Sequence, residues 1–93
     1  MWSASLGWRI EISELARRQL SRLDKVVARR IVAFLHERVA SHADPRATGK
    51  PLKGELKAYW RYRVGDWRIL CEIKDECVTL LVLHVGHRRD VYK

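Results

Sequence analysis

Arginine is the residue type whose spacing in this chain could do chemistry. In the stretch WRYRVGDWRIL, residues 60–70, Arg61, Arg63 and Arg68 stand where a β-hairpin would gather them. Residues of high strand propensity alternate on either side of Gly65-Asp66, a short polar pair that breaks the run as a turn does. With that pair as the turn, Val64 opposes Trp67, Arg63 opposes Arg68, and Arg61 opposes Leu70. Side chains alternate faces along a strand, so the three arginines share one face while Trp60, Tyr62, Val64, Trp67 and Ile69 share the other. The apolar set reads as a core face, and both tryptophans as packing within it. The basic set contains no acid, and like charges opposed in a sheet are unfavourable. Such a face is tolerable where water screens it and useful where an anion docks on it. A solvated basic face is the plainer alternative. Lys50, Lys53 and Lys57 lie just before the hairpin and extend the positive surface, although lysines also keep a loop soluble.

The elements that must position these residues follow from hydropathy. Residues 1–7 carry little structural signal. Trp8 to Ile12 alternate apolar and charged side chains, as a half-buried strand does. Ser13 is a candidate N-cap for a short amphipathic helix with Leu15, Leu20 and Leu23 on one side and Arg17, Arg18 and Arg22 on the other. Asp24 is a second N-cap candidate. Val27, Ile31, Phe34, Leu35 and Val39 then recur with helical periodicity through about Ser41, and Arg29, Arg30 and Arg38 point outward. Residues 42–55 read as a loop, punctuated by Pro45, Gly49, Pro51 and Gly54. The hairpin's second strand continues through Ile73, Lys74-Asp75-Glu76 form a turn, and residues 77–85 form a nearly all-apolar strand, buried on both faces, central in the sheet and ended by Gly86. His84, inside it, is read as a structural histidine. The order β-α-α-β-β-β makes an α+β domain: an N-terminal strand and a helical hairpin packed on one face of a small antiparallel sheet, with the arginine face left open.

The chain's 93 residues suit one domain, residues 1–93. A hydrophobic fraction of 47% with four tryptophans favours a folded protein. Nineteen basic against eleven acidic side chains give a net charge of +8, which favours a polyanionic partner, nucleic acid or an acidic protein. No apolar run approaches a membrane span and the N-terminus lacks a signal-peptide core, so no membrane association and a cytoplasmic location are expected. Cys71 and Cys77 form neither a CxxC nor a Cys/His zinc pattern; both read as small, mostly buried side chains, with a disulfide disfavoured in a reducing compartment. The acids Glu11, Glu14, Glu37 and Glu55 are scattered, so no metal site and no cofactor are expected.

Together these features resemble the RelE/ParE superfamily of bacterial toxins from type II toxin–antitoxin modules, in element order and size over nearly the whole chain. The specific signals are GKPLKG (residues 49–54), the hairpin YWRYRVGDWRILCEI (residues 59–73) and the ending VLHVGHRRDVY (residues 82–92). The resemblance implies a RelE-like toxin that acts as a ribosome-dependent, metal-independent mRNA endoribonuclease, cutting in the A site and inhibiting translation. Carried over residue by residue, the catalytic set is Arg61, Arg63, Arg68, Arg88 and Tyr92, with Lys50, Lys53, Lys57, His87 and Arg89 as RNA-binding residues. In RelE the first pair is lysine, and here it is arginine, a poor proton carrier. The interval from Gly86 to Tyr92 is also shorter than in RelE. The resemblance further implies an acidic, RelB-like antitoxin that wraps the toxin, with operator DNA bound only through the antitoxin complex. The alternatives are a ParE-like inhibitor of DNA gyrase and a non-catalytic basic binding module.

Metal-free RNA cleavage uses the 2′-hydroxyl as nucleophile. It requires removal of that proton, stabilisation of charge on the phosphate, and a proton for the leaving 5′-oxygen. Arg63, Arg68 and Arg88 suit the phosphate, since planar guanidinium donors match its oxygens; Arg61 suits it too, or positions the backbone. Tyr92 suits base stacking or proton transfer. His87 is the alternative proton carrier, although alternation in an extended tail points it away from Arg88.

Overall fold

A computed structural model describes residues 7–41, 43–52 and 59–91 of the chain. Strand β1 spans Arg9–Ile12, and helix α1 spans Glu14–Ser21. Ser13 caps α1 as the alternation of β1 ends: its side-chain oxygen accepts from the Ala16 N–H at 3.1 Å. Glu14 in the first turn and Arg18 in the last both complement the helix dipole. Helix α2 spans Lys25–Phe34, capped by Asp24, whose carboxylate accepts from the Val26 N–H at 2.8 Å. It runs on through Leu35–Ala40 in wider, π-type turns, so the helical periodicity is honoured to its end. Strand β3 (Tyr59–Val64), strand β4 (Trp67–Lys74) and strand β5 (Thr79–His87) form an antiparallel meander, and a short helical turn α3 (Arg88–Val91) follows.

The helices cover one face of the sheet. Ile31, Leu35 and Val39 from the second helical run meet Tyr62, Ile69, Cys71, Leu80 and Val82 from the strands in one core. Fully burying a side chain such as Ile31 contributes roughly 1.5–3 kcal/mol, and all eight of these residues are at most 1% exposed. The α+β class and the one-sided helix layer expected from the sequence are both present.

Several details differ from the sequence reading. The sheet is mixed and has five strands in the order β1-β5-β4-β3-β2, where β2 is the short strand Lys50–Pro51. β1 lies in the sheet as a parallel edge strand, with Arg9 opposite Thr79 and Ile12 opposite Val82. The fifth strand, β2 (Lys50–Pro51), lies within the stretch read as loop and pairs antiparallel with β3. β5 does not stop at Gly86 but runs through it to His87, and Leu81, Leu83 and His84 are only half-buried because the second face is open. Cys77 is exposed in a 3-10 turn, Asp75–Cys77, that leads into a left-handed Val78; Cys71 is buried, and both are free thiols. Leu15 is 47% exposed, and its neighbour Ala16 takes the buried place instead.

Beyond Val82, β5 loses β1 as a neighbour, and α1 takes over. Ser13 Oγ donates to the Leu83 carbonyl at 3.2 Å, and Gln19 Oε1 accepts from the Val85 N–H at 2.7 Å. The strand edge is thereby satisfied by side chains instead of a further strand.

Candidate nucleic-acid interface

The hairpin register is the one the sequence predicts: Val64 opposite Trp67, Arg63 opposite Arg68, Arg61 opposite Leu70. β2 and β5 extend this into rows across the open face. One row runs Lys50, Arg61, Leu70, His84; the next runs Arg63, Arg68, Gly86. A β-bulge between Leu70 and Cys71 leaves Leu83 without an opposite residue and brings His84, not Leu83, into the first row. Gly49, Lys50, Arg61, Tyr62, Arg63 and Arg68 line a concavity of about 380 Å³ at the hairpin end of this face.

Neither Arg63 nor Arg68 makes an ion pair with a described residue. Arg68 Nη1 is held instead by two carbonyls of its own turn, Gly65 and Trp67, each at 3.2 Å. Carbonyls orient a guanidinium without neutralising it, so its charge stays available to an anion. Arg88 is drawn to the same turn: its N–H donates to the Asp66 carbonyl at 2.8 Å, and its Nε lies 3.9 Å from Asp66 Oδ1. Arg68 from β4 and Arg88 from the start of α3 therefore both converge on the hairpin tip. That ion pair is exposed on both sides, so it tethers Arg88 weakly.

The approach of β2 depends on a glycine. Gly49 has φ +83°, and a Cβ there would lie 2.5 Å from the Arg61 carbonyl and 2.7 Å from the Tyr62 ring. Three further contacts fix the segment before it. Trp60 Nε1 donates to the Thr48 carbonyl at 2.6 Å, and the buried Tyr62 hydroxyl donates to the Pro45 carbonyl at 2.8 Å. Arg46 grips Asp75 with two nitrogens, at 2.7 and 3.1 Å, and reaches Asp44 at 3.3 Å. The hydrogen bond from Arg46 holds the Asp75 carboxyl below the usual carboxylate range. Burial pushes the Tyr62 phenol well above its ordinary value, so it stays protonated as a donor.

Of the expected site residues, Lys50, Arg61, Arg63 and Arg68 come together, and Arg88 stands at the rim of the same hairpin. Arg89 is exposed beside it in α3. His87 is placed elsewhere. It opposes Trp67, with the two rings edge to face and 5.4 Å apart, and its Nδ1 accepts from the Arg89 N–H at 3.3 Å. Strand alternation turns it away from the arginine face. Trp60 and Trp67 pack against the core, as their hairpin positions indicate. Lys53, Lys57 and Tyr92 lie outside the described residues. Among the described residues no three His, Cys, Asp or Glu are gathered as metal ligands, and no helix is long and apolar enough to cross a membrane. The sequence reading took Gly49 only as loop punctuation and missed both the close approach it allows and the Arg46 clasp.

Comparison with known proteins adds to this geometry. A family model described as the ParE toxin of type II toxin–antitoxin systems, parDE, matches residues 10–92. Toxin RelG of Mycobacterium tuberculosis is 33% identical over 88 residues, covering 95% of this chain and 99% of that protein. The toxin–antitoxin complex RelBE2 from the same organism contains a chain that superposes with a TM-score of 0.79 at 32% identity, covering 91% of this chain and 95% of its own. The isolated RelE toxin of E. coli matches with a TM-score of 0.70 at 21% identity, covering 91% of this chain and 90% of its own, a likeness of fold.

Proposed function

The chain belongs to the ParE toxin family of type II toxin–antitoxin systems, and we propose that as the toxin of such a module it acts as a RelE-like, ribosome-dependent endoribonuclease that cuts mRNA in the A site and so inhibits translation in the cytoplasm. The observation that carries this reading is the concavity in which Lys50, Arg61, Arg63 and Arg68 meet. No described carboxylate pairs with Arg63 or Arg68 there. Two guanidinium groups without a described carboxylate partner, those of Arg63 and Arg68, favour the charge that builds on a phosphate during 2′-hydroxyl attack, and need no metal for that task. Arg63 and Arg68 would hold the scissile phosphate, Arg61 the phosphate or the adjoining backbone, and Arg88 would close on it from the hairpin tip. Tyr92 would stack on a base or exchange a proton. Lys50, Lys53, Lys57 and Arg89 would guide the strand by charge. His87, turned onto Trp67, would contribute to binding only if the tail repositioned it.

The partners follow from the same reading. Solved relatives include complexes of toxin with antitoxin. An acidic, RelB-like antitoxin that wraps this surface would neutralise the pocket, and complementary charge would speed the encounter. Operator DNA would be bound through the antitoxin's part of the complex. The second reading, inhibition of DNA gyrase, is favoured by the name of the matching family model.

Primer extension on an mRNA in a reconstituted translation reaction separates the two. Cuts within codons that require ribosomes, and that fall by about 100-fold or more with Arg68→Ala, are expected for the nuclease. Intact mRNA from a protein that still arrests growth and blocks supercoiling points to gyrase.

A further inference from the structure

We propose that Lys50 is the proton donor of the cleavage reaction, delivering its ammonium proton to the leaving 5′-oxygen, an assignment that rests on the nuclease reading above. A guanidinium keeps its proton at any accessible pH, so Arg61, Arg63 and Arg68 can grip a phosphate but cannot hand over a proton. Of the described residues that line the concavity, Tyr62 and Lys50 remain. Tyr62 is committed elsewhere: its hydroxyl is buried and donates to the Pro45 carbonyl at 2.8 Å. The two nearby histidines are displaced. His87 faces Trp67 on the other side of the sheet, and Leu70 stands between His84 and Arg61.

Lys50 is in the right place and is held there. It opposes Arg61 directly across the β2–β3 pairing, which puts the two α-carbons roughly 4.5–5.5 Å apart. It lines the same concavity as Arg63 and Arg68. The segment that delivers it is anchored by Trp60 on Thr48, Tyr62 on Pro45 and Arg46 on Asp75, and it approaches β3 closely only because residue 49 is glycine at φ +83°. A lysine that served solubility alone would gain nothing from this anchoring.

In the step, the 2′-oxygen attacks phosphorus, the O2′–P bond forms and the P–O5′ bond breaks. The 2′ proton passes to solvent water, and the electron pair of the broken bond stays on O5′. Lys50 Nζ protonates that oxygen, leaving a neutral amine that solvent reprotonates. The products are a 2′,3′-cyclic phosphate and a 5′-hydroxyl.

The test compares wild type, Lys50→Ala, Lys50→Arg and Arg68→Ala in the reconstituted translation reaction on two mRNAs. One is ordinary; the other carries sulfur in place of the scissile 5′-oxygen, a leaving group that departs without a proton. Both Lys50 variants are expected to cut the ordinary mRNA about 100-fold more slowly than wild type, yet to come within about threefold of it on the sulfur substrate. Arg68→Ala is expected to stay slow on both. Co-purification with the cognate antitoxin checks that each variant folds. Near-wild-type cutting of ordinary mRNA by Lys50→Arg would overturn the assignment, since charge alone would then suffice. An undiminished gap on the sulfur substrate would overturn it too. Wild-type protein that cuts neither mRNA would remove the nuclease reading and this one with it. Wild type that cuts both while Lys50→Arg keeps pace removes the proton donor alone.

Discussion

Tyr62 shows how much a single side chain joins together. Its ring is fully buried and meets Phe34 edge-on with 6.3 Å between centroids, while its hydroxyl reaches the Pro45 carbonyl behind β2. The core thus sets the position of the segment that carries Lys50. Tyr62→Phe keeps the ring and removes the donor, so it is expected to cost about 0.5–1.5 kcal/mol of stability, read as a lower urea midpoint at unchanged slope. The inward direction of Tyr62 was legible from hairpin alternation alone, as was the grouping of Arg61, Arg63 and Arg68, because turn position and a two-residue period fix every pair at once. Residue type was a poorer guide. Cysteine as a small buried residue is right for Cys71 and wrong for Cys77, which sits exposed in a turn with its thiol reaching the Lys74 carbonyl at 3.9 Å. Leu15 is exposed while α1 meets β5 through the fully buried Ala16 and through Gln19, whose side chain accepts from the Val85 N–H.

At the scale of elements, β2 was illegible for a physical reason. Two residues, one of them proline, carry no periodicity, and the strand exists only because β3 offers an edge and Gly49 allows the approach. The parallel placement of β1 was equally hidden, since its partner lies seventy residues on, Arg9 against Thr79. Arg46 is the clasp that ties the β2 approach to the β4–β5 turn through Asp75. Asp75 is held below the usual carboxylate range, by its hydrogen bond from Arg46 first and by charge attraction second. A carboxyl with a depressed folded-state pKa stabilises the fold above its unfolded value, and that gain disappears as pH falls through the folded value. Arg46→Ala is therefore expected to lower the melting temperature modestly at pH 7. The gap to wild type should close as pH falls through and below the ordinary carboxylate range. A gap that persists at the acid end would place the role of Arg46 in packing instead of pairing. Asp75 is exposed and Arg46 half-buried, so solvent screening keeps the effect towards the small end of ion-pair contributions.

For the molecule as a whole, the open face is polarised. The row Glu11, Leu81, Glu72, Tyr59 crosses it at one end, and the rows led by Lys50 and Arg63 cross it at the other. On this face four basic residues, Lys50, Arg61, Arg63 and Arg68, gather at the hairpin end, an arrangement composition alone cannot reveal. If Lys50, Arg61, Arg63 and Arg68 each meet a phosphate, affinity for single-stranded RNA should fall with a log–log salt slope near −3, or roughly 50-fold between 50 and 200 mM salt. Arg63→Ala should flatten that slope by about 0.7. Filter binding across a salt series reads both, and a slope insensitive to Arg63 would place the RNA elsewhere.

The pairing of β1 with β5 also orders events in time. A chain leaves the ribosome from its N-terminus, so Arg9–Ile12 emerges early and waits without a strand partner until Thr79–Val82 has been made. The same late strand supplies Gly86 opposite Arg68 and leads directly into Arg88. The sheet closes only when synthesis has passed its last strand. The open face that carries Arg68 is in this way incomplete until β5 has been made.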